Sequence, residues 1–266
     1  MLLGAHVPNA DPIAEAAARG ADAAQFFLSD PQSWRKPPPR EDAAALRAST
    51  LPLYVHAPYL VNVASPNNRI RIPSRRILQE TCDAAAQIGA TAVIVHGGHT
   101  GEATPPEEGI RHWRKALQVL ETDVPVFIEN TAGGANAMAR EFDRLGQLWE
   151  AFGERSVGFC LDTCHAHAAG EELENAVERL RSLIGRIDLV HVNDSKDPRG
   201  SGRDRHERLG HGTIGADTLA NVVRTAGVPA IIETPGDVDD HAGDLTWLRR
   251  RTAGAADRTI DYLPRL

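Results

Sequence analysis

The chain has 266 residues, 42% of them hydrophobic and 24% charged, a composition that excludes a largely disordered protein. Its formal net charge of −7 argues against binding nucleic acid through a surplus of Lys and Arg. No apolar run approaches the roughly 20 residues of a membrane helix, and the first residues lack the pattern of a secretory signal. Three cysteines in a chain of this size indicate a reducing compartment, so we expect a cytoplasmic protein.

Strand and helix patterns alternate along the whole chain. Eight short apolar runs predict strands at Leu2 to Val7, Ala23 to Leu28, Leu51 to His56, Ala92 to His96, Val124 to Glu129, Val157 to Asp162, Ile187 to Val192 and Ala230 to Glu233. Between and after them, helices are predicted at Ile13 to Arg19, Arg40 to Ser49, Arg75 to Ile88, Pro106 to Leu120, Asn136 to Phe152, Gly170 to Ile184, Asp217 to Ala226 and Leu245 to Arg251.

This alternation predicts an α/β protein built from βαβ units around a parallel sheet. Eight units fit a (β/α)8 TIM barrel, which routinely reaches about 250 residues as one domain, so residues 1–266 are expected to form a single domain. The competing fold is an open doubly wound sheet. Such a sheet usually carries a Gly-rich phosphate loop after an early strand, and no G-x-G-x-x-G follows one here.

Six consecutive runs end on a residue type that binds zinc. These residues are His56, His96, Glu129, Asp162, His191 and Glu233. A charged residue at one strand end can simply mark where the strand meets water, and a lone His is more often structural. The coincidence of six favours a metal site, because the carboxyl ends of barrel strands converge on the rim where barrel enzymes keep their active sites.

Two segments add further candidate ligands. In DTCH, Asp162 is followed three residues later by His165, on the exiting loop or first helical turn. In the long polar stretch after His191, Asp204 and His206 are two residues apart, so both side chains point to one side of an extended segment. Cys160 and Cys164 have poor zinc spacing and are not expected to bind metal.

Six segments resemble endonuclease IV, the zinc-dependent apurinic/apyrimidinic endonuclease family within the xylose isomerase-like TIM barrels. They are HAPYLVNVASPN, VIVHGGH, IENTAGG, GFCLDTCHAHAAG, HVNDSKDPRGSGRDRHERLGHGTIG and IIETP. They follow the order found in the family and span most of the chain, from GAHV at Gly4 to the last strand. The two long segments are specific, whereas GAHV and IIETP alone would be weak.

The resemblance implies a site for three zinc ions, with the active site at the carboxyl-terminal rim of the barrel. One ion would be held by His56, His96 and Glu129. A second would share Glu129 as a bridging ligand and take Asp162, His191 and Glu233. The third would be held by His165, Asp204 and His206. All nine ligand types of the family are present in this sequence. On the resemblance, this is an argument that the chain has retained catalysis.

The resemblance also implies the reaction. Glu129 would position a zinc hydroxide for attack on the phosphodiester 5′ to an abasic site, leaving a 3′-hydroxyl and a 5′-deoxyribose phosphate. The expected partner is double-stranded DNA with abasic sites or blocked 3′ ends, and the expected enzyme is a monomer in base-excision repair. Three divalent ions would raise the net charge from −7 to −1 and place positive charge where a phosphate would lie.

Three residues are predicted to contact DNA. Tyr59 and Leu60 match the wedge residues of the family, although the pair could also pack locally. Gln32 stands where some members carry an intercalating Arg and cannot supply its charge. Trp34 is expected to pack under the Pro-rich loop RKPPPR rather than to stack on DNA.

A metal-dependent sugar isomerase or epimerase of the xylose isomerase-like barrels is the alternative. Such enzymes need a Glu, Asp, His, Glu set on successive strands, which Glu129, Asp162, His191 and Glu233 would satisfy. They do not need the other five candidate ligands, namely His56, His96, His165, Asp204 and His206. The presence of all five favours the phosphodiesterase over the isomerase. A DNA-damage binding protein with a decayed site would have lost at least one ligand, and none is lost.

Overall fold

Eight parallel strands close into a barrel in the computed structural model, which describes residues 1–153 and 157–253. The strands are β1 (Leu3–His6), β2 (Ala24–Phe27), β3 (Leu53–His56), β4 (Ala92–His96), β5 (Val126–Glu129), β6 (Gly158–Asp162), β7 (Leu189–His191) and β10 (Ala230–Ile232). Each barrel strand pairs with the barrel strand before it and the barrel strand after it in the chain. β1 pairs with β10, which closes the ring. The predicted barrel is confirmed.

Helices connect successive strands in most of the ring. They are α1 (Pro12–Ala18), α2 (Ala43–Ala48), α3 (Asn68–Gln87), α4 (Pro106–Val119), α5 (Phe142–Phe152), α6 (Thr163–Ala169), α7 (Ala176–Ile184), α8 (Ala216–Ala226) and α9 (Val238–Thr252). None of the helices in the described residues is long and apolar enough to cross a membrane.

Four helices differ clearly from the sequence prediction. α9 begins at Val238 rather than Leu245, because Asp237 caps its first turn. α3 begins at Asn68 rather than Arg75, because the side chain of Asn67 caps its first turn and the helix continues through Pro73. α5 begins at Phe142 rather than Asn136, whose φ of 53° is incompatible with a right-handed helix. The helix predicted from Gly170 to Ile184 ends where predicted, but its start is wrong: α6 ends at Ala169, with Gly170 as a left-handed C-cap, and α7 starts only after a short 3-10 turn.

The polar stretch after His191 contains a small hairpin that the sequence did not predict. Strand β8 (Asp194–Ser195) pairs antiparallel with β9 (His206–Glu207). The hairpin returns the chain to the barrel mouth, and His206 pairs with Ser195.

Side chains alternate between two apolar layers along each barrel strand. In β3, Leu53 and Val55 pack in the large core between strands and helices, whereas Tyr54 belongs to a small cluster inside the barrel. The small cluster contains Ala23, just before β2, two residues of β4 (Ala92 and Ile94) and one residue from each of five other strands: Tyr54, Phe127, Cys160, Leu189 and Ile231. These five strands are β3, β5, β6, β7 and β10, and β1 supplies none. Because the period of a strand is two, the residue two positions after each of these also points into the barrel.

Candidate metal centre

The two-residue alternation carries all six strand-end candidates into the barrel mouth. Each follows an interior residue by two positions: His56 follows Tyr54, His96 follows Ile94, and Glu129 follows Phe127. Asp162, His191 and Glu233 follow Cys160, Leu189 and Ile231 in the same way. The strand pattern therefore explains why these side chains share one rim, on top of an apolar floor.

Glu129 lies at the centre of the cluster and faces two different groups of residues. Its Oε2 lies 3.0 Å from Nε2 of His56 and 3.3 Å from Nε2 of His96. Its Oε1 lies 3.1 Å from Nδ1 of His191 and 3.3 Å from Nδ1 of His165. One carboxylate thus offers an oxygen to each of two neighbouring groups, the geometry that a bridging ligand needs.

Two groups of potential ligand atoms share Glu129, and within each group the atoms lie within 4.8 Å of one another. The first contains His56, His96 and Glu129, and the second contains Glu129, Asp162, His191 and Glu233. Imidazole nitrogens and carboxylate oxygens at such spacing are a donor set that suits zinc. The structure therefore brings together the residues that the resemblance assigned to the first two ions.

A third set of residues lies beside Asp162. Asp204 places Oδ2 3.1 Å from Nε2 of His165 and Oδ1 3.1 Å from Nε2 of His206. Asp162 also approaches this set, with Oδ2 3.7 Å from Nε2 of His206. The structure thus brings the three predicted residues together and adds Asp162 as a neighbour that the sequence placed only in the second group.

The thiol of Cys164 lies within 4.8 Å of ligand atoms of Asp204 and His206, although its spacing in the sequence argued against a role. Burial raises the pKa of this thiol to about 12. A neutral thiol is a weak ligand, so the Asp204 carboxylate is the better donor at this position.

Backbone carbonyls fix the orientation of three histidine rings. Nδ1 of His56 lies 2.7 Å from the carbonyl of Ala57, and Nδ1 of His165 lies 2.9 Å from the carbonyl of Asn130. Nδ1 of His206 lies 3.2 Å from the carbonyl of Glu233. A carbonyl can only accept, so each Nδ1 carries the hydrogen and each Nε2 is left free to face the carboxylates.

Charge is strongly coupled across the cluster. Burial opposes ionisation of Glu129, but the charges of His191 and His96 outweigh it and hold its pKa well below the usual range. Burial also opposes the charge on His206, yet the hydrogen bond to Asp204 and the charge of Asp162 raise its pKa to about 9. Without metal, protons on His165, His191 and His206 thus balance the carboxylates, and a metal ion would replace those protons.

A cavity of about 800 Å³ opens beside the cluster. Tyr59 and Leu60 line it together with His96, His165 and Asp204. The Tyr59 side chain is 54% exposed, and its ring stacks on that of His96 at 5.9 Å between centroids. This wall combines an apolar surface with the candidate ligands, as a substrate pocket requires.

The other two loop residues are placed differently. Trp34 lines the same cavity and also packs against the large core, so the expectation that it only packs under the Pro-rich loop was incomplete. Gln32 is exposed and lines a separate surface pocket with Asn9 and Arg35. The structure does not bring Gln32 to the cavity wall that holds Tyr59.

The sequence reasoning missed polar residues that hold the candidate ligands in place. Asn130 accepts a hydrogen bond from the backbone of Asp162 at 2.7 Å, and Asn193 donates one to the Asp162 carboxylate at 2.7 Å. Gln25 contacts both His191 and Glu233. Each Asn directly follows or nearly follows a candidate ligand in the chain, which could have flagged it.

Comparison with known proteins agrees with this architecture. A family model of the xylose isomerase-like TIM barrels matches residues 13–251. A Mycobacterium tuberculosis protein named "Probable endonuclease 4" is 59% identical over 252 residues, covering 95% of this chain and 99% of the relative. A Mycobacterium leprae protein of the same name is 57% identical over 254 residues, covering 96% and 100%.

Solved structures give the same picture. The crystal structure of endonuclease IV from Thermus thermophilus matches with a TM-score of 0.82 and 30% identity, covering 94% of this chain and 98% of that one. A D-tagatose 3-epimerase-like protein matches with a TM-score of 0.75 but only 17% identity, covering 94% and 97%, and is similar in fold alone.

Proposed function

This chain belongs to the endonuclease IV family of the xylose isomerase-like TIM barrels, and from that premise we propose that it is a DNA-repair endonuclease that uses three zinc ions. The sequence-based recognition of the family is confirmed. The proposed reaction is hydrolysis of the phosphodiester 5′ to an abasic site, leaving a 3′-hydroxyl and a 5′-deoxyribose phosphate. Trimming of blocked 3′ ends would use the same centre.

The observation that carries the proposal is the position of Glu129. Its two oxygens face separate groups of ligands, and the fully buried carboxylate is held ionised by the surrounding histidines. With His165, Asp204 and His206 as a third set, the nine donors are sufficient for three ions. Zinc is the ion that best fits this mixture of imidazole and carboxylate.

The chemistry follows from charge. When bound, such ions offset the phosphate charge, polarise its oxygens and lower the pKa of water. The residues of the chain supply the rest: Glu129 holds the first two groups in a fixed relation, and the backbone carbonyls keep His56 and His165 from rotating. No side-chain nucleophile is required.

The cavity beside the cluster supports selection of an abasic sugar. Turning a nucleotide out of the duplex costs a few kcal/mol, least where no base is stacked. Tyr59 and Leu60 line this cavity, and we propose that they enter the gap left in the helix. Gln32, exposed and apart from the cavity, is proposed to contact the DNA backbone without entering the duplex.

Monomeric action, a cytoplasmic location and a single domain over residues 1–266 stay predictions from the sequence. They do not affect the chemistry at the rim.

The first test measures zinc and cutting together. The purified protein should carry close to three zinc ions per chain and cleave duplex DNA at a synthetic, reduced abasic site. A reduced site blocks β-elimination, so a product with a 3′-hydroxyl must come from hydrolysis. Glu129→Gln keeps the side-chain shape but weakens the bridge, and its cutting should fall to background while its fold is retained.

Two results would contradict the proposal. If the fully metal-loaded protein left the DNA intact and instead converted a ketose or aldose, the result would favour a sugar isomerase or epimerase. Full activity of Glu129→Gln would exclude a bridging role for this carboxylate.

A further inference from the structure

Gln25 is a buried polar residue inside the barrel that is not itself one of the proposed ligands. It lies on β2, two residues after the interior residue Ala23, and its side chain is fully buried. Its Oε1 lies 2.7 Å from Nε2 of His191, and its Nε2 lies 2.6 Å from Oε1 of Glu233. One side chain thus contacts two proposed ligands that come from different strands.

Donor and acceptor chemistry determines how this amide is oriented. The Glu233 carboxylate can only accept, so the amide NH₂ of Gln25 must face it and the amide oxygen must face His191. The oxygen then accepts from Nε2 of His191, which fixes the hydrogen on that nitrogen. Nδ1 of His191, 3.1 Å from Glu129, is then the nitrogen whose lone pair a metal ion can take when it replaces the proton there.

His6 completes the arrangement. It lies on β1, between β2 and β10, and its Nδ1 is 3.0 Å from Nε2 of Gln25 and 3.4 Å from Oε1 of Glu233. The second hydrogen of the Gln25 amide therefore has an acceptor, and both amide hydrogens are used. His6 and Gln25 fill the interior positions of the two barrel strands that carry no proposed ligand.

His191 differs in its hydrogen-bond partner from the three other candidate ligands whose ring orientation is fixed. His56, His165 and His206 bond backbone carbonyls, which no substitution can remove. His191 bonds a side chain instead. Glu233 also needs support, because it lies one residue beyond the end of β10.

We propose that Gln25, backed by His6, is the positioning residue for the metal site formed by Glu129, Asp162, His191 and Glu233. The inference rests on the proposed function, since it assumes that this group binds an ion. Gln25 acts through its neighbours: it sets the tautomer of His191 and holds Glu233 in the direction of the ion. Outer hydrogen-bond partners of this kind typically change metal affinity by about 10- to 100-fold.

The test compares zinc retention in variants under a chelator titration. Gln25→Met keeps the length of the side chain and removes both hydrogen-bonding functions. It should release one of the three zinc ions at about 10- to 100-fold lower chelator concentration, while the other two stay at wild-type affinity. In cobalt-substituted protein, the visible absorption of one site should change as its ligands reorient.

Two further variants make the result specific. Gln25→Glu matches the native side chain in size and can accept from His191, but its carboxylate cannot donate to Glu233, so it too should lose the same ion early. Gln118→Met, on the exposed face of α4, applies the same change far from the site and should retain all three ions.

The outcomes separate this inference from the proposed function. Wild-type protein that holds no zinc would overturn both together. Wild-type, Gln25→Met and Gln25→Glu proteins that fold and hold three ions with equal affinity would overturn the positioning role alone.

Discussion

Tyr59 is the exposed aromatic residue at the mouth of the metal centre. Its ring stacks on His96 and meets the edge of Phe27 at 5.0 Å between centroids, so it is held upright over the cluster. Partial desolvation, together with the nearby charges of Glu233 and Glu129, raises the pKa of Tyr59 to about 12, and its side chain therefore stays neutral beside an anionic substrate. A fixed, neutral ring is suited to stack against the exposed face of a base.

Removing this ring should weaken binding without disturbing the metal. Stacking on an aromatic side chain is worth about 1–3 kcal/mol per base, so Tyr59→Ala should weaken binding of an abasic duplex by about ten- to hundredfold. Binding is measured by fluorescence anisotropy on a reduced abasic duplex, with zinc content determined in parallel. Tyr59→Phe keeps the ring and should bind like wild type. Equal affinity of the Ala variant and wild type would exclude Tyr59 as a wedge.

Individual candidate ligands could be placed from the sequence where the chain pattern alone decides the direction of their side chains. The period of two carries His56, Glu129 and Asp162 inward from any barrel strand, so the end of each apolar run was sufficient. The part played by Gln25 could not be predicted, because it depends on a contact with Glu233 that lies 208 residues away. Nothing near Gln25 in the sequence reveals that only β1 separates β2 from β10 in the closed barrel.

At the scale of elements, the hairpin of β8 and β9 determines where the third set of candidate ligands lies. The Asp194 carboxylate is buried and accepts hydrogen bonds from the backbone of Gly210, Gly212 and Ile214 at 3.0 to 3.1 Å. These bonds fold the segment after β9 back on β8. The folded hairpin places His206 against the barrel, with its Nδ1 3.2 Å from the carbonyl of Glu233.

Gly212 is the position where the loop tolerates no side chain. A Cβ there would collide with the Asp194 carboxylate and the carbonyl of Ser195, so Gly212→Ala must displace the loop. We expect this variant to lose the zinc ion held by the third set and most of its cutting activity, as measured by metal analysis and the abasic-duplex assay.

The matched control is Gly146→Ala on α5. Its Cβ would lie at an ordinary 3.4 Å from Leu183, and alanine is favoured over glycine in a helix by about 0.5–1 kcal/mol. This variant should keep three zinc ions and be at least as stable as wild type. Retention of all three ions by Gly212→Ala would show that the loop does not hold the third set.

Sequence analysis misplaced the elements whose ends are determined by helix caps and tertiary contacts. The Asn67 cap starts α3 seven residues before the predicted helix, and the turn at Asn136 delays α5. The hairpin was read only as a long loop because its strands have two residues each, too short for any periodicity. The barrel itself was predictable because eight apolar runs alternate with helical patterns along the chain.

At the scale of the whole molecule, the stability of the metal-free protein should decrease as the pH rises. The pKa of His206 is raised from 6.5 to about 9, and those of His165 and His191 are raised well above their usual value. A raised histidine pKa contributes stability that is fully present below about pH 6.5 and is lost as the pH rises through the folded-state value.

The zinc-free protein should therefore melt at a lower temperature near pH 9 than near pH 6.5. The zinc-loaded protein should lack this particular decline, since metal replaces the protons on these nitrogens. Thermal melts of both forms across this range measure the difference. Parallel curves for the two forms would mean that the histidines are not protonated in the metal-free cluster.

Closure of the barrel between β1 and β10 also has a consequence for protein synthesis. The ribosome makes Glu129, Asp162 and His191 well before Glu233, which follows the last barrel strand. A nascent chain that stops short of this residue lacks one ligand of the second group and has no partner for Gln25. On the proposed function, the topology delays assembly of the DNA-cutting centre until translation has passed the eighth strand of the barrel.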